Sequence, residues 1–300
     1  MKKDAKIRNE ARSPFFTFHS SLFICIAALL MQSCDVKDPI YETDHPDKAK
    51  ITVTADWSGI GQGLTKPTGY KVAYGSEILT AMADKYTFAN LLAPGSYTVY
   101  FYNEVAAIPV TDKTATVKTV AVGSLEPMPD WLFTGKLTAT VAQDKHHEFT
   151  VQMAQQVRQL TLIIEPTGGT ADKITGITAS LSGVAGSLDI DSDTHGMPSN
   201  ATMSFTKIET GENAGKWTAT VRLLGVTGSE QKLSGVIKFT DGIPGDMPLD
   251  GDLSAALATF NENKREPLTL GGQSAETPSP TGFTATIKDW EKVTGSGIAN

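Results

Sequence analysis

Few side chains in this 300-residue sequence combine the types and the spacing that chemistry needs. Asp189, Asp191, Asp193 and His195 alternate along Asp-Ile-Asp-Ser-Asp-Thr-His-Gly, and alternate acids can direct oxygens around a calcium ion. The glycine that such a loop requires after its third acid is Thr194, and the twelfth position, where a bidentate glutamate belongs, is Asn200. The stretch reads as a solvated turn. His146-His147-Glu148 brings two imidazoles together, but adjacent side chains of a strand point to opposite faces, and no third ligand accompanies them. Gly59, Gly61 and Gly63 form a loop with no helix behind it, hence no phosphate cradle. No serine sits in nucleophile-elbow spacing, and no pair of carboxylates is set apart as in a glycosidase. No catalytic constellation, metal site or cofactor site is expected. Of the two thiols, Cys25 and Cys34, only the second stands in a chemically informative setting.

Ahead of Cys34 lie a basic leader (Lys2, Lys3, Lys6, Arg8, Arg12) and the run Leu22-Phe-Ile-Cys-Ile-Ala-Ala-Leu-Leu-Met-Gln-Ser-Cys34. A basic start, an apolar centre and a small residue before a break are the parts of a secretory signal. The apolar run is about ten residues where roughly twenty span a bilayer, so residues 1–33 are expected to be removed. Leu29-Leu-Met-Gln-Ser-Cys34 resembles a bacterial lipobox, departing from it at Met31 and Gln32. The resemblance implies a diacylglycerol thioether on Cys34, which becomes the new N-terminus and carries further acyl chains such as palmitate. One acyl chain holds a protein to a membrane marginally and two or more hold it stably.

Loss of residues 1–33 removes five basic and two acidic residues and moves the formal charge from −7 to −10. An acidic chain argues against nucleic acid and against electrostatic adhesion to anionic lipid. Cys25 would leave with the signal, so the mature chain has no disulfide, and its stability must come from ordinary burial.

The elements behind these residues read as strands. Residues 34–48 are a polar tether with two prolines. Lys50-Ile-Thr-Val-Thr-Ala-Asp-Trp57 alternates apolar and polar, the signature of a half-buried strand. Tyr70–Tyr74, Thr87–Leu92, Tyr97–Asn103, Ala106–Val110, Thr114–Val122, Lys136–Val141 and Glu148–Met153 continue the pattern, with Ala93-Pro-Gly-Ser96 as a turn. After a junction at Gln155-Gln156 come Gln156–Glu165, Ile174–Leu181, Gly186–Ile190, Ala201–Ile208, Lys216–Leu224, Lys232–Thr240 and Phe283–Trp290. Asp252–Asn261 spaces Leu253, Leu257 and Phe260 as a helix does. Many short strands near ten-residue spacing indicate an all-β chain. The expected arrangement is two tandem β-sandwiches, 49–154 and 155–300, the second with one short helix near 252–261.

Taken with the lipobox, the strand Lys50–Trp57, Leu92-Ala-Pro-Gly-Ser-Tyr-Thr-Val-Tyr100, Val157-Arg-Gln-Leu-Thr-Leu-Ile-Ile164, Ile177-Thr-Ala-Ser-Leu-Ser-Gly183 and Phe283-Thr-Ala-Thr-Ile-Lys-Asp-Trp290 resemble the fimbrillin-anchor family. These are lipoproteins of Bacteroides-type Gram-negative bacteria that hold or cap fimbriae at the outer membrane; a related group of lipoproteins has no known function. The resemblance implies transthyretin-like sandwiches, no enzyme activity, a lipid anchor at Cys34 facing the cell surface, and fimbrial subunits as partners. It also implies assembly by strand exchange, in which stalk subunits lose their first strand to an arginine-directed protease. No arginine lies between Cys34 and Arg158, so removal of Ile51–Trp57 by that route has no site. The competing reading is a surface glycan-binding lipoprotein, which would use exposed aromatics among Trp57, Trp131, Trp217 and Trp290.

Overall fold

The computed structural model describes residues 47–121, 123–279 and 282–293. Cys34, the signal and the tether as far as residue 46 lie outside the described residues. What is described is all-β, with no α-helix.

The first strand, β1 (Lys50–Asp56), buries Ile51, Val53 and Ala55 as its alternation requires. It is followed by β2 (Tyr70–Tyr74), β3 (Glu77–Ala81), β4 (Lys85–Thr87) and β5 (Gly95–Tyr102). Four short strands come next: β6 (Val110–Thr111), β7 (Thr114–Thr116), β8 (Thr119–Ala121) and β9 (Ser124–Leu125). Then come β10 (Phe133–Val141), β11 (His146–Gln152) and β12 (Ala154–Gln155). Two sheets face each other across one core, a three-stranded sheet ordered β11-β1-β4 and a five-stranded sheet ordered β12-β10-β5-β2-β3. Val53, Tyr70, Val72, Phe101, Phe133, Val151 and Met153 fill the space between them.

The remaining strands are β13 (Arg158–Thr167), β14 (Ile174–Asp189), β15 (Thr194–Lys207), β16 (Trp217–Leu223), β17 (Lys232–Phe239), β18 (Met247–Asp252), β19 (Leu268–Ser279) and β20 (Gly282–Lys292). Their pairings run β14-β17-β18-β20-β19-β13-β16-β15 and return to β14, a closed ring of eight. The sequence anticipated a two-sheet sandwich here. The ring closes where Ile177–Leu181 of β14 pair with both β15 and β17; β14, read from sequence as two strands broken at Gly183, continues through a bulge between Leu181 and Val184 to pair with β15 and β7. Gly183 has φ +69°, and a Cβ there would lie 2.3 Å from the Glu230 carbonyl oxygen, so only glycine permits the bend.

Two further expectations are corrected. The segments around Ala106–Val110 and Thr114–Val122 belong to the second core. β7 pairs with the far half of β14, and Ile108, Ala115, Val117, Leu125 and Leu132 pack among the ring's residues. Alternation marks which face of a strand is buried and says nothing of its partner. The helix expected over 252–261 is a run of turns. Leu253, Leu257 and Phe260 are buried as the spacing indicated, but the backbone mixes three- and four-residue hydrogen bonds. Its first turn is drawn into tertiary bonds, with Leu253 N–H donating to the Gln231 carbonyl at 2.8 Å and Ser254 Oγ accepting Gln231 N–H at 2.9 Å.

Candidate functional site

Strand β1 occupies the middle of the three-stranded sheet, parallel to β11 and antiparallel to β4. Both of its faces are held. Ile51 and Val53 enter the core, and on the other face Thr52, 1% exposed, bonds through Oγ1 to Thr87 Oγ1 and His146 Nε2, each at 2.8 Å. Deleting this strand would open a slot along the core.

Among the described residues the sheets of this unit end in strands paired on one side only, β11 and β4 on one and β3 and β12 on the other. On β11 the predicted faces hold: His146 points to Thr52, His147 bonds the Ala142 backbone and stacks on Phe149, and Glu148 pairs with Lys85 at 2.7 Å. His147 thus lies on the opposite face from His146 and Glu148, and each of the three has its own partner. The Lys85 ammonium beside Glu148 holds its carboxyl below the usual range.

The outer face of the five-stranded sheet meets the second unit. Ile78, Ala73, Tyr100 and Lys136 lie side by side across β3, β2, β5 and β10. Tyr100 Oη donates to Asp191 Oδ1 at 2.7 Å, and Lys136 Nζ reaches the same carboxylate at 2.7 Å and the Asp191 carbonyl at 2.8 Å. Lys113 Nζ lies 4.7 Å from the centre of the Tyr100 ring. Lys136, then Tyr100, depress the Asp191 carboxyl, because both stabilise its charged form. Beside this latch lies a cleft of about 790 Å³, walled by the turn into β3 on one side and by Val110–Lys113 on the other.

The alternating acids are therefore separated by structure. Asp189 Oδ1 accepts the N–H groups of Asp191 and Ser192 and the Ser192 hydroxyl within its own turn, Asp191 serves the latch, and Asp193 lines a different pocket. No cluster of three or more histidine, cysteine or acidic residues is arranged for a metal among the described residues. The glycine loop has a packing role. Gly61 N–H donates to Gln155 Oε1 at 3.0 Å, and a Cβ on Gly61 would lie 2.6 Å from the Arg265 carbonyl oxygen.

The polar network around that loop was not visible in the sequence beyond the junction at Gln155-Gln156. Gln155 Nε2 donates to the carbonyls of Val157 and Lys264, and buried Arg158 donates to the carbonyls of Phe260 and Glu266. Lys264 Nζ donates to Gln156 Oε1 at 2.6 Å and lies 3.2 Å from His195 Nε2. Burial pulls the lysine down to about 8, and burial followed by the nearby lysine charge lowers His195. Gln156 and His195 are 108 and 69 residues from Lys264 in sequence, so no local motif announces them.

The four tryptophans are packed. Trp57 meets Tyr70 and Phe133 edge-on, Trp131 lies under the Arg222 guanidinium, Trp217 is buried and Trp290 covers Gly251 and Gly272. No helix among the described residues is long and apolar enough to cross a membrane.

Among solved structures, a candidate adhesin of Bacteroides ovatus is similar at a TM-score of 0.59 and 11% identity, over 85% of this chain and 98% of that one. A second candidate adhesin of the same species gives 0.56 at 15% identity, over 86% and 98%. The fimbrial anchor protein Mfa2 from Porphyromonas gingivalis gives 0.49 at 11% identity, over 79% and 95%. No curated protein matches. At these identities the structures speak to the fold alone. The sequence family described as fimbrillin-A associated anchor proteins Mfa1 and Mfa2 matches residues 65–295, which is most of the chain, and the chain belongs to that family.

Proposed function

We propose that this protein is a lipid-tethered anchor or accessory subunit of fimbriae, without enzymatic activity, that binds partner subunits by strand addition. The observation that carries the reading is β1. A stalk subunit must give up its first strand to accept the next subunit, whereas here that strand is clamped between β4 and β11 and no arginine precedes it after Cys34. A lipid on Cys34 would tether the first unit to the outer membrane at the cell surface through residues 34–48. Family membership supports fimbrial subunits as the partners. In strand addition, backbone hydrogen bonds supply affinity and alternate side chains supply specificity.

The same reading takes residues 49–154 as a transthyretin-like sandwich and 155–300 as a second unit, with Ile108, Ala115 and Leu132 of the first lent to the core of the second. Two separate cores support it. Nothing favours the glycan-binding alternative, because the tryptophans it needs are engaged in packing.

Two measurements test the proposal. Cells fed an alkyne-bearing palmitate analogue should label the wild-type chain and not Cys34→Ala; equal labelling of both would overturn the anchor. The purified chain should form a complex with a fimbrial subunit of the same cells that survives mild denaturant and is lost when the subunit's extended terminal segment is trimmed. A chain that captures no subunit overturns the assignment.

A further inference from the structure

Several strand edges of the described residues are unpaired, and they are not equivalent. Natural sheets protect their edges with charges, prolines, bulges or very short strands. The β4 edge is three residues long, β8 three, and β6 and β12 two each. The β11 edge is longer but carries two histidines and a glutamate already tied to neighbours. Strand β3 has no proline and no bulge, and only one charged residue. Glu-Ile-Leu-Thr-Ala pairs with β2 in unbroken register, and its one charge is Glu77 at the first position. Ile78 is 62% exposed and Met82, just past its end, is 71% exposed.

The edge also has space beside it. The turn and first residues of β3 form one wall of the 790 Å³ cleft. Five residues of β3 offer about 17 Å of backbone for pairing. The cations of the cleft are engaged, Lys136 with Asp191 and Lys113 over Tyr100. Glu77 accepts the Tyr74 hydroxyl at 2.6 Å, and neither it nor Asp112 makes an ion pair with a described residue.

We propose that the free edge of β3, where it borders the cleft between the two units, receives an extended segment of a fimbrial subunit. That segment alternates apolar and polar residues and carries a basic residue toward Glu77 and Asp112. The inference rests on the strand-addition reading above and assigns it a place and a partner chemistry. The closed ring of the second unit offers no comparable edge, and β1 already fills its own slot.

The test uses the full chain in detergent and a synthetic heptapeptide, Lys-Val-Thr-Val-Thr-Val-Lys, alongside two isomers of it N-methylated at alternate amides, one on the edge that would pair with β3 and the other on the opposite edge. Hydrogen exchange at Glu77–Ala81 should slow at least tenfold with the first peptide. It should not change with the isomer methylated on its pairing edge. Ile78→Lys with Met82→Lys should weaken binding of the peptide and of the fimbrial subunit at least tenfold without lowering Tm, while Thr150→Lys on β11 leaves both intact. Protection at His146–Gln152 in place of β3, equal binding of both methylated isomers, or no protection anywhere would overturn the assignment. A subunit complex that ignores the Ile78 and Met82 changes overturns the β3 site and leaves the anchor reading standing. Absence of any subunit complex overturns the anchor reading itself.

Discussion

The two halves of this molecule treat their sheet edges in opposite ways. In the second, each of the eight ring strands finds a neighbour on both sides, and closure removes the edges. In the first, two sheets face across a core and stop, and among the described residues β3 and β11 are paired on one side only. The same backbone chemistry is thus satisfied internally in one half and left open at the rim in the other.

The comparison can be broken by disabling one half at a time. Val53→Asp places a carboxylate at a fully buried position between the facing sheets, at a cost of more than about 4 kcal/mol. Calorimetry should then lose one transition and keep a second belonging to the ring. A single shifted transition would show that the halves melt as one. Leu162→Ala, in a buried position of the ring, should cost about 2–5 kcal/mol and lower the other transition, leaving hydrogen exchange in β1 and β5 unchanged.

The junction sharpens the comparison through pH. Lys264 is pulled down to about 8 by burial, so the native state sheds a proton that the unfolded chain keeps to above 10. The native charge is a burden below pH 8, and stability should rise between pH 8 and 10 by up to about 3 kcal/mol. Above that, Tyr70 and Tyr74, pushed up to about 12 by burial, ionise more readily unfolded and reverse the trend. Denaturant titrations of Lys264→Met should be flat over pH 8–10; an unchanged slope would place the proton elsewhere. A smaller effect is expected at the latch, where Tyr100→Phe removes one bond to Asp191 and should lower Tm by roughly 2–4 °C. Smallest of all, Glu148→Gln, in a pair with both side chains 61% exposed, should leave Tm unchanged within error.

Much of the first unit was legible. Lys50–Asp56, Tyr70–Tyr74 and the strand after Pro94-Gly95 fell where alternation put them, because period-two burial is written in neighbouring residues. The separation of His147 from His146 and Glu148 on opposite faces of β11 followed from the same rule. The candidate site was less legible. Glu77–Ala81 was not read as a strand, since Ile78 and Leu79 are consecutive apolar residues and the period is lost. Asp191 was read with its own loop, whereas its partners Tyr100 and Lys136 arrive from 91 and 55 residues away.

Short-range pattern is enough to establish that the described residues are all-β, which face of most strands is buried, and that no arginine stands between Cys34 and Arg158. These properties depend on residues close together along the chain. Long-range packing decided that β14 pairs with both β15 and β17 to close a ring, that Ile108, Ala115 and Leu132 join the second core, that the residues after β18 coil into turns, and that β3 ends its sheet among the described residues. Each of those outcomes is a competition among distant partners for the same backbone hydrogen bonds and the same apolar surface, and local periodicity carries no record of which partner wins.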